Sequence, residues 1–260
     1  MAIRLAPALA AVLACAAIPA RAVDRFEIQV YDADVRDPGQ LGLEAHLNFS
    51  GRSAGAEPVA RVTFEPSVGV TDWLELGAYL QLFGTAADGA RFGGTKARAK
   101  LVVPARVGLP FLLGVNVEVA RVPRAVEEDR WSSEIRPIVG WQGGRWLVLA
   151  NPISGYALSG PDRFRPDLEP CGKAAFDTRL GFSIGAEYYS GLGFADALLP
   201  LREQEHLLFA ALDLVEPPRS PGAGSPVNAG PWELNVAVGT ALTDAPGPRL
   251  LAKAIVGRSF

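Results

Sequence analysis

The fold the sequence predicts is all-β: an antiparallel transmembrane β-barrel of about twelve strands, of the bacterial outer-membrane type. Three observations carry it. Stretches of about ten residues alternate between apolar and polar positions, aromatic residues gather on the apolar parity at both ends of those stretches, and the chain closes on an alternating segment that ends in Phe260. Period two is the mark of a strand whose two faces meet different media. A tilted barrel strand needs about 9–11 residues to cross hydrocarbon.

The elements follow in chain order. Residues 1–22 read as a secretory signal peptide, with Arg4 as the positive region, Leu5 to Ile18 as an Ala-rich apolar stretch broken by Pro7, and Ala20-Arg21-Ala22 as a small-x-small cleavage site. Val12-Leu13-Ala14-Cys15 is a weaker alternative, a lipoprotein-like box with its Leu one place off. With Cys15 removed, Cys171 stands alone and no intrachain disulfide forms. Residues 23–40 contain FEIQVYDAD (26–34), which would have to start outside the cell if it were the first barrel strand. They are therefore expected to form a periplasmic or lumen-plugging segment, with the barrel spanning 41–260.

The first strand is LGLEAHLNFS (41–50): Leu41, Leu43, Ala45, Leu47 and Phe49 alternate with Glu44, His46 and Asn48. The pattern returns in 60–70, with Arg61 and Glu65 on the polar parity, and in 74–82, with Glu75. It returns again in 95–103, with Lys96, Arg98 and Lys100, in 111–119, with Glu118, and in 131–141, with Glu134 and Arg136. LGFSIGAEYY (180–189), with Glu187, and WELNVAVGT (232–240) repeat it, and LLAKAIVGRSF ends the chain. Segments 146–158, 168–176 and 205–215 are weaker strands with the alternation blurred. Pro66, Pro137, Pro152 and Pro170 fall inside predicted strands and require bulges or strand ends.

Short turns are expected after residues 33, 70, 103, 141 and 176, facing the periplasm. Longer loops are expected at 51–58, 84–90, 123–130, 159–167 and 191–204, facing outward. PPRSPGAGSP (217–226) is long for a periplasmic turn. Trp141, Trp146 and Trp232 sit on the apolar parity beside short turns, with Trp73 in one such turn. Phe49, Trp131, Tyr156 and Tyr188 share that parity at the opposite ends. Two girdles at membrane–water interfaces look like this.

The polar parity, rich in Gly, Tyr, Asn, Gln and charges of both signs, suits a crowded wet lumen. Its candidate lining is Glu44, His46, Arg61, Glu65, Glu75, Lys96, Arg98, Lys100, Glu118, Glu134, Arg136 and Glu187. Lys96, Arg98 and Lys100 on one strand face repel unless they meet carboxylates or an anion. They read either as part of a salt-bridge lattice with Glu118, Glu134, Glu75 and Glu65 or as a basic ladder guiding anionic solutes.

SVGVTDWLELGAYLQ (67–81), RPIVGW (136–141) with RW (145–146), LGFSIGAEYY and KAIVGRSF (253–260) resemble an uncharacterised proteobacterial outer-membrane family. That family is similar to the transporter-like barrels of the phenol-degradation meta-pathway group. The resemblance implies uptake of small compounds, with hydrophobic or aromatic ones among the candidates. The terminal strand resembles the C-terminal signal of outer-membrane proteins, with Phe260 as the assembly signal and Arg258 departing from the pattern.

A formal net charge of −3 on 260 residues gives no basic footprint for nucleic acid. Of the two histidines, His46 shares a face with Glu44, and His206 belongs to EQEH (203–206), which has no recognised metal spacing. No GxSxG or HxSxG stretch supplies a nucleophile. The expectation is therefore a non-enzymatic barrel with no cofactor or metal. Its partners are outer-membrane lipid, the barrel-assembly machinery and an unidentified small solute taken up by passive passage. The alternatives are a closed structural or surface-interaction barrel and, further off, a barrel enzyme acting on lipid.

Overall fold

The computed structural model describes residues 23–51, 58–123, 130–214 and 232–260. The expected signal peptide at 1–22, the lipoprotein-like box at Cys15 and the 217–226 insert lie outside the described residues. Twelve antiparallel strands form the wall: β1 Leu41–Ser50, β2 Val59–Thr71, β3 Leu74–Thr85, β4 Gly89–Val102, β5 Leu112–Arg121 and β6 Trp131–Gly143. They continue as β7 (Trp146–Asn151 with Ser154–Ala157), β8 (Pro166–Leu168 with Cys171–Asp177) and β9 (Phe182–Gly191 with Gly193–Phe194). β10 is Glu205–Leu214, β11 is Trp232–Ala241 and β12 is Leu250–Ser259. Each strand pairs with its neighbour in sequence, and β12 returns to β1, with Val256 opposite Ala45. The sheet is thus a closed barrel without an edge, which is how a β-structure satisfies every main-chain group in lipid. Among the described residues no helix is long and apolar enough to cross a membrane.

Alternation decides the two faces. Val238 on β11 is 58% exposed, whereas Lys253 on the neighbouring strand is 3% exposed. Leu43, Phe64, Leu76, Leu80, Val139, Val148 and Ile184 likewise point outward, while Glu44, His46, Glu65, Glu75, Arg98 and Glu118 are buried inside. An apolar exterior around a polar interior inverts a soluble sandwich.

The prolines collect in one seam. Register on either side, Ile135 with Ser154 and Val139 with Ala150, puts Pro137 opposite Pro152. Asn151 with Cys171 and Ser154 with Leu168 put Pro152 opposite Pro170. The ladder opens where these three residues lack N–H donors, and β7 and β8 are each interrupted there. Ser190 repairs part of the gap, donating from its N and Oγ to Pro170 O at 3.1 and 2.8 Å. Pro66 sits mid-strand opposite Leu43.

Two connections differ from expectation. The predicted loop 84–90 is a tight turn at 86–88, because β3 and β4 pair as far as Thr85 with Gly89, which supplies the positive φ. The predicted short turn after 103 is instead a longer connection holding the 3-10 turn Ala105–Val107, closed by left-handed Gly108. Within the segment 205–215, blurred in sequence, Glu205–Leu214 is an unbroken strand.

Candidate functional site

The lumen is occupied by the chain's own residues 23–36. They run from the end where the wall begins and terminates to the opposite mouth. At the terminal end, Arg36 donates to Glu44 (2.9 Å), Glu75 (3.2 Å) and Glu233 (3.3 Å), and its N donates to Glu75 (2.9 Å). A Cβ on Gly42 would meet the Arg36 side chain, and one on Gly69 the main chain of Arg36 and Asp37, so these inward glycines make room for the segment. Towards the other mouth, Asn48 and Thr63 donate to Phe26 O at 3.0 Å, and Phe26 packs edge-on against Phe83.

Over residues 27–31 the segment alternates and so has two faces. Glu27 and Tyr31 meet a charged wall. Lys96 Nζ reaches Asp24 (2.7 Å), Glu27 (3.0 Å) and Glu118 (3.0 Å). Arg98 bridges Glu65 (2.5 Å) and Glu75 (2.6 Å), and Lys100 pairs with Asp32 (3.1 Å). Arg136 holds Glu134 (2.7 Å) and lies 3.6 Å from Glu27. The Tyr31 ring sits over Arg136 at 4.4 Å and near Lys100 at 5.3 Å, and its hydroxyl contacts Tyr79 Oη (2.5 Å) and Glu27 (2.8 Å). Asn151 holds the Tyr31 main chain from both sides, accepting from its N (2.7 Å) and donating to its O (3.1 Å).

Ile28 and Val30 meet an apolar wall. With Val23 they join one buried cluster with Leu147, Leu149, Ile153, Leu207, Phe209, Ala211, Ala237 and Leu251. Gly239 makes this possible, since a Cβ there would strike the Phe209 ring. Inward-facing leucines are why β7 and β10 read as blurred.

The ladder cations thus share carboxylates from the wall and from the segment. Of the expected lining residues, Glu44, His46, Glu65, Glu75, Lys96, Arg98, Lys100, Glu118, Glu134 and Arg136 come together in this network. Arg61 stands apart near the mouth, donating to Ser50 Oγ (3.1 Å) with its guanidinium 5.7 Å from the Phe26 ring. Glu187 belongs to another cluster, with Lys253 (2.5 Å), Lys173 (3.3 Å) and the Tyr189 hydroxyl (2.7 Å). Asp24, Glu27, Asp32, Arg36, Lys173, Asp213 and Lys253 were not singled out from sequence. For Glu27 and Asp32, the two-faced spelling of FEIQVYDAD was the available signal.

The segment's own groups feel this setting. Burial pushes Glu27 up, but Lys96 and then Arg136 outweigh it and hold the carboxyl down at about 2. Burial and the neighbouring Asp32 push Asp34 up to about 7. Burial opposes the charge of Arg36, but Glu44, Glu233 and Glu75 hold it above the ordinary guanidinium range. A cavity of about 170 Å³ remains beside this stretch, between Asp34, Arg36, Lys100, Lys173 and Glu233.

Glu44, His46 and Glu65 bring ligand-type atoms within 4.8 Å of one another. Arg36 and Arg98 already occupy those carboxylates, so the trio reads as part of the ion-pair lattice. EQEH does not converge: Glu205 points inward to Arg25, and His206 stacks on Tyr188 at the outer face. Trp131, Trp141, Trp146, Tyr188 and Trp232 are exposed on the outer parity, with Tyr156 half-buried on it. The Arg258 guanidinium lies 5.0 Å from the Trp232 ring and 5.3 Å from that of Phe260, which gives the departure at 258 a packing role.

No family model matches the chain, and no curated protein matches it. Solved structures do. An outer membrane channel from Pseudomonas putida F1 aligns with a TM-score of 0.60 at 13% identity, covering 90% of this chain and all of that one. The KdgM porin aligns with a TM-score of 0.53 at 11% identity, covering 84% and 99%. At such identities the likeness is one of fold, a twelve-stranded outer-membrane-type barrel.

Proposed function

We propose that the protein is an outer-membrane channel for passive passage of small solutes, and that the state described is closed by residues 23–36. The observation that carries this reading is the division of the lumen's charges between wall and segment. Withdrawal of the segment takes Asp24 and Glu27 from Lys96, Asp32 from Lys100 and Glu27 from Arg136. Lys96 then keeps Glu118 and Arg136 keeps Glu134, while Lys100 loses its ion pair. The face of β4 and β6 so gains positive charge, a lining that favours anionic solutes. An aromatic solute, one of the classes the family resemblance implies, would compete for the seat of Tyr31 over Arg136. The chain is read as exported by residues 1–22, assembled through its Phe260 strand and embedded in outer-membrane lipid, with no catalytic role.

A second reading is a permanently closed structural barrel. It is favoured by the completeness of the packing, since a segment with a charged and an apolar face fits both walls. Planar-bilayer recording separates the two. The full mature protein is expected to give rare, small conductance steps, and deletion of residues 23–36 frequent and larger ones. Silence from both proteins, each shown to be folded by its heat-modifiable mobility, would support the closed barrel and overturn the channel.

A further inference from the structure

The far end of the lumen segment is held by an unusual pair of contacts. Val23 N donates to Glu205 Oε2 at 3.0 Å, and Arg25 Nη2 pairs with Glu205 Oε1. The partners are 182 residues apart in sequence, and both Val23 and Glu205 are 7% exposed. The Val23 side chain lies in the apolar cluster with Leu207 and Phe209. The turn at Gly247 covers the pair, since a Cβ there would stand 3.5 Å from both Arg25 Nη2 and Glu205 Oε1. A buried carboxylate therefore receives a guanidinium on one oxygen and, on the other, the main-chain nitrogen of Val23.

That nitrogen is the first atom after the small-x-small motif Ala20-Arg21-Ala22. The motif and the contact are independent features, one spelled in the sequence and one made by the fold, and both single out the same bond. We propose that the Ala22–Val23 peptide bond is hydrolysed on export and that the α-ammonium freed on Val23 is a built-in cation of the lumen, salt-bridged to Glu205. Water adds across the bond, Ala22 leaves with the new carboxyl group, and Val23 keeps the nitrogen and takes up a proton. An α-amino group with an ordinary pKa of about 8 is charged at neutral pH. In place of one neutral N–H it offers three donors and a full charge to a carboxylate already shielded from water.

Processing and closure are thereby coupled. The uncut chain gives Glu205 a neutral amide N–H. The cut chain ends at Val23 and docks as a charged terminus. The inference goes beyond the channel reading and rests on the seat of residues 23–36 in the lumen and on the motif before Val23, so it stands or falls whatever the conductance.

The test uses protein isolated from outer membranes. Terminal sequencing and intact mass are expected to give a chain beginning Val23-Asp24-Arg25-Phe26. In the folded barrel, acylation of the α-amine at neutral pH is expected to run at least about tenfold slower than in the denatured chain, as for a group that reacts only through local opening. Glu205→Gln should remove most of that protection and Glu205→Asp restore part of it, with both variants checked for barrel mobility before boiling. Arg25→Gln, which leaves the ammonium its carboxylate, should keep most of it. A mature terminus elsewhere, such as a lipid-modified Cys15, overturns the proposal. So does an α-amine acylated equally fast in folded and unfolded protein.

Discussion

Strands β2–β6 meet the lumen segment with Glu65, Glu75, Lys96, Arg98, Lys100, Glu118 and Arg136. Strands β7, β10, β11 and β12 meet the same segment with Leu147, Leu149, Leu207, Phe209, Ala237 and Leu251. Contacts on the first wall are directional, with lengths of about 2.5–3.6 Å and fixed partners, so they set the register in which Glu27 and Tyr31 sit. Their net contribution is small, because the desolvation of each charge offsets much of the attraction. The second wall is not directional, yet burial of an Ile or Val side chain against it contributes about 1.5–3 kcal/mol. One wall chooses the position and the other supplies most of the grip.

Substitutions on each side sharpen that contrast. The largest effect is expected on the charged wall from Arg98→Leu, which takes one buried cation from both Glu65 and Glu75 and leaves them His46 and Arg36. Removing one partner from a buried ionic cluster costs about 3–5 kcal/mol. Denaturant unfolding in detergent micelles would show it as loss of barrel stability, and an unchanged midpoint would mean that Arg98 is not the neutralising group. Ile28→Ala acts on the other wall and on the segment alone. The expected cost is about 2 kcal/mol of docking, at the low end for such truncations because a single strand can settle into the space. It is read as more frequent opening in bilayers with barrel unfolding unchanged; equal opening would remove the apolar wall from the account.

The smallest effect is a pH dependence. Asp34 has an ordinary value of 3.8 and is raised to about 7 in the docked segment. Its proton is therefore held more tightly when docked, and its contribution, full below about pH 4, is lost as pH rises through 7. Glu27, lowered from 4.5 to about 2, contributes in the opposite sense: present above 4.5 and lost as pH falls towards 2. Opening should then increase modestly from pH 5 to pH 8, and Asp34→Asn should flatten that rise. A profile identical in the variant would assign the dependence to other groups.

The same contrast explains what could be read in the sequence. β1–β6 were legible because their inner positions are polar and their outer ones apolar, so parity alone separated Glu44 and His46 from Leu43 and Leu47. β7 and β10 were not, because Leu147 and Leu149, or Leu207 and Phe209, are as apolar as the outward residues between them. Alternation fails where the lumen itself is dry, and it is dry because Ile28 and Val30 lie against it. The ladder Lys96–Arg98–Lys100 was visible as a repulsion needing carboxylates, and the wall acids Glu65, Glu75 and Glu118 were identified as partners. Asp24, Glu27 and Asp32 were missed because they lie about 70 residues upstream, on a segment whose docking no local pattern specifies. The proline seam was visible only as an objection, since side-by-side placement of Pro137, Pro152 and Pro170 is a property of register.

The central claim is that residues 23–36 lie inside the barrel between these two walls. Cys171 offers the most direct check, because its Sγ stands 3.9 Å from Gln29 O. A Gln29→Cys variant in native outer membranes would be treated with a short thiol-to-thiol bridging reagent and digested. A bridged peptide joining positions 29 and 171, with conductance abolished in the bridged protein, is the predicted result. Absence of that bridge, with both thiols open to a small water-soluble maleimide, would contradict the account.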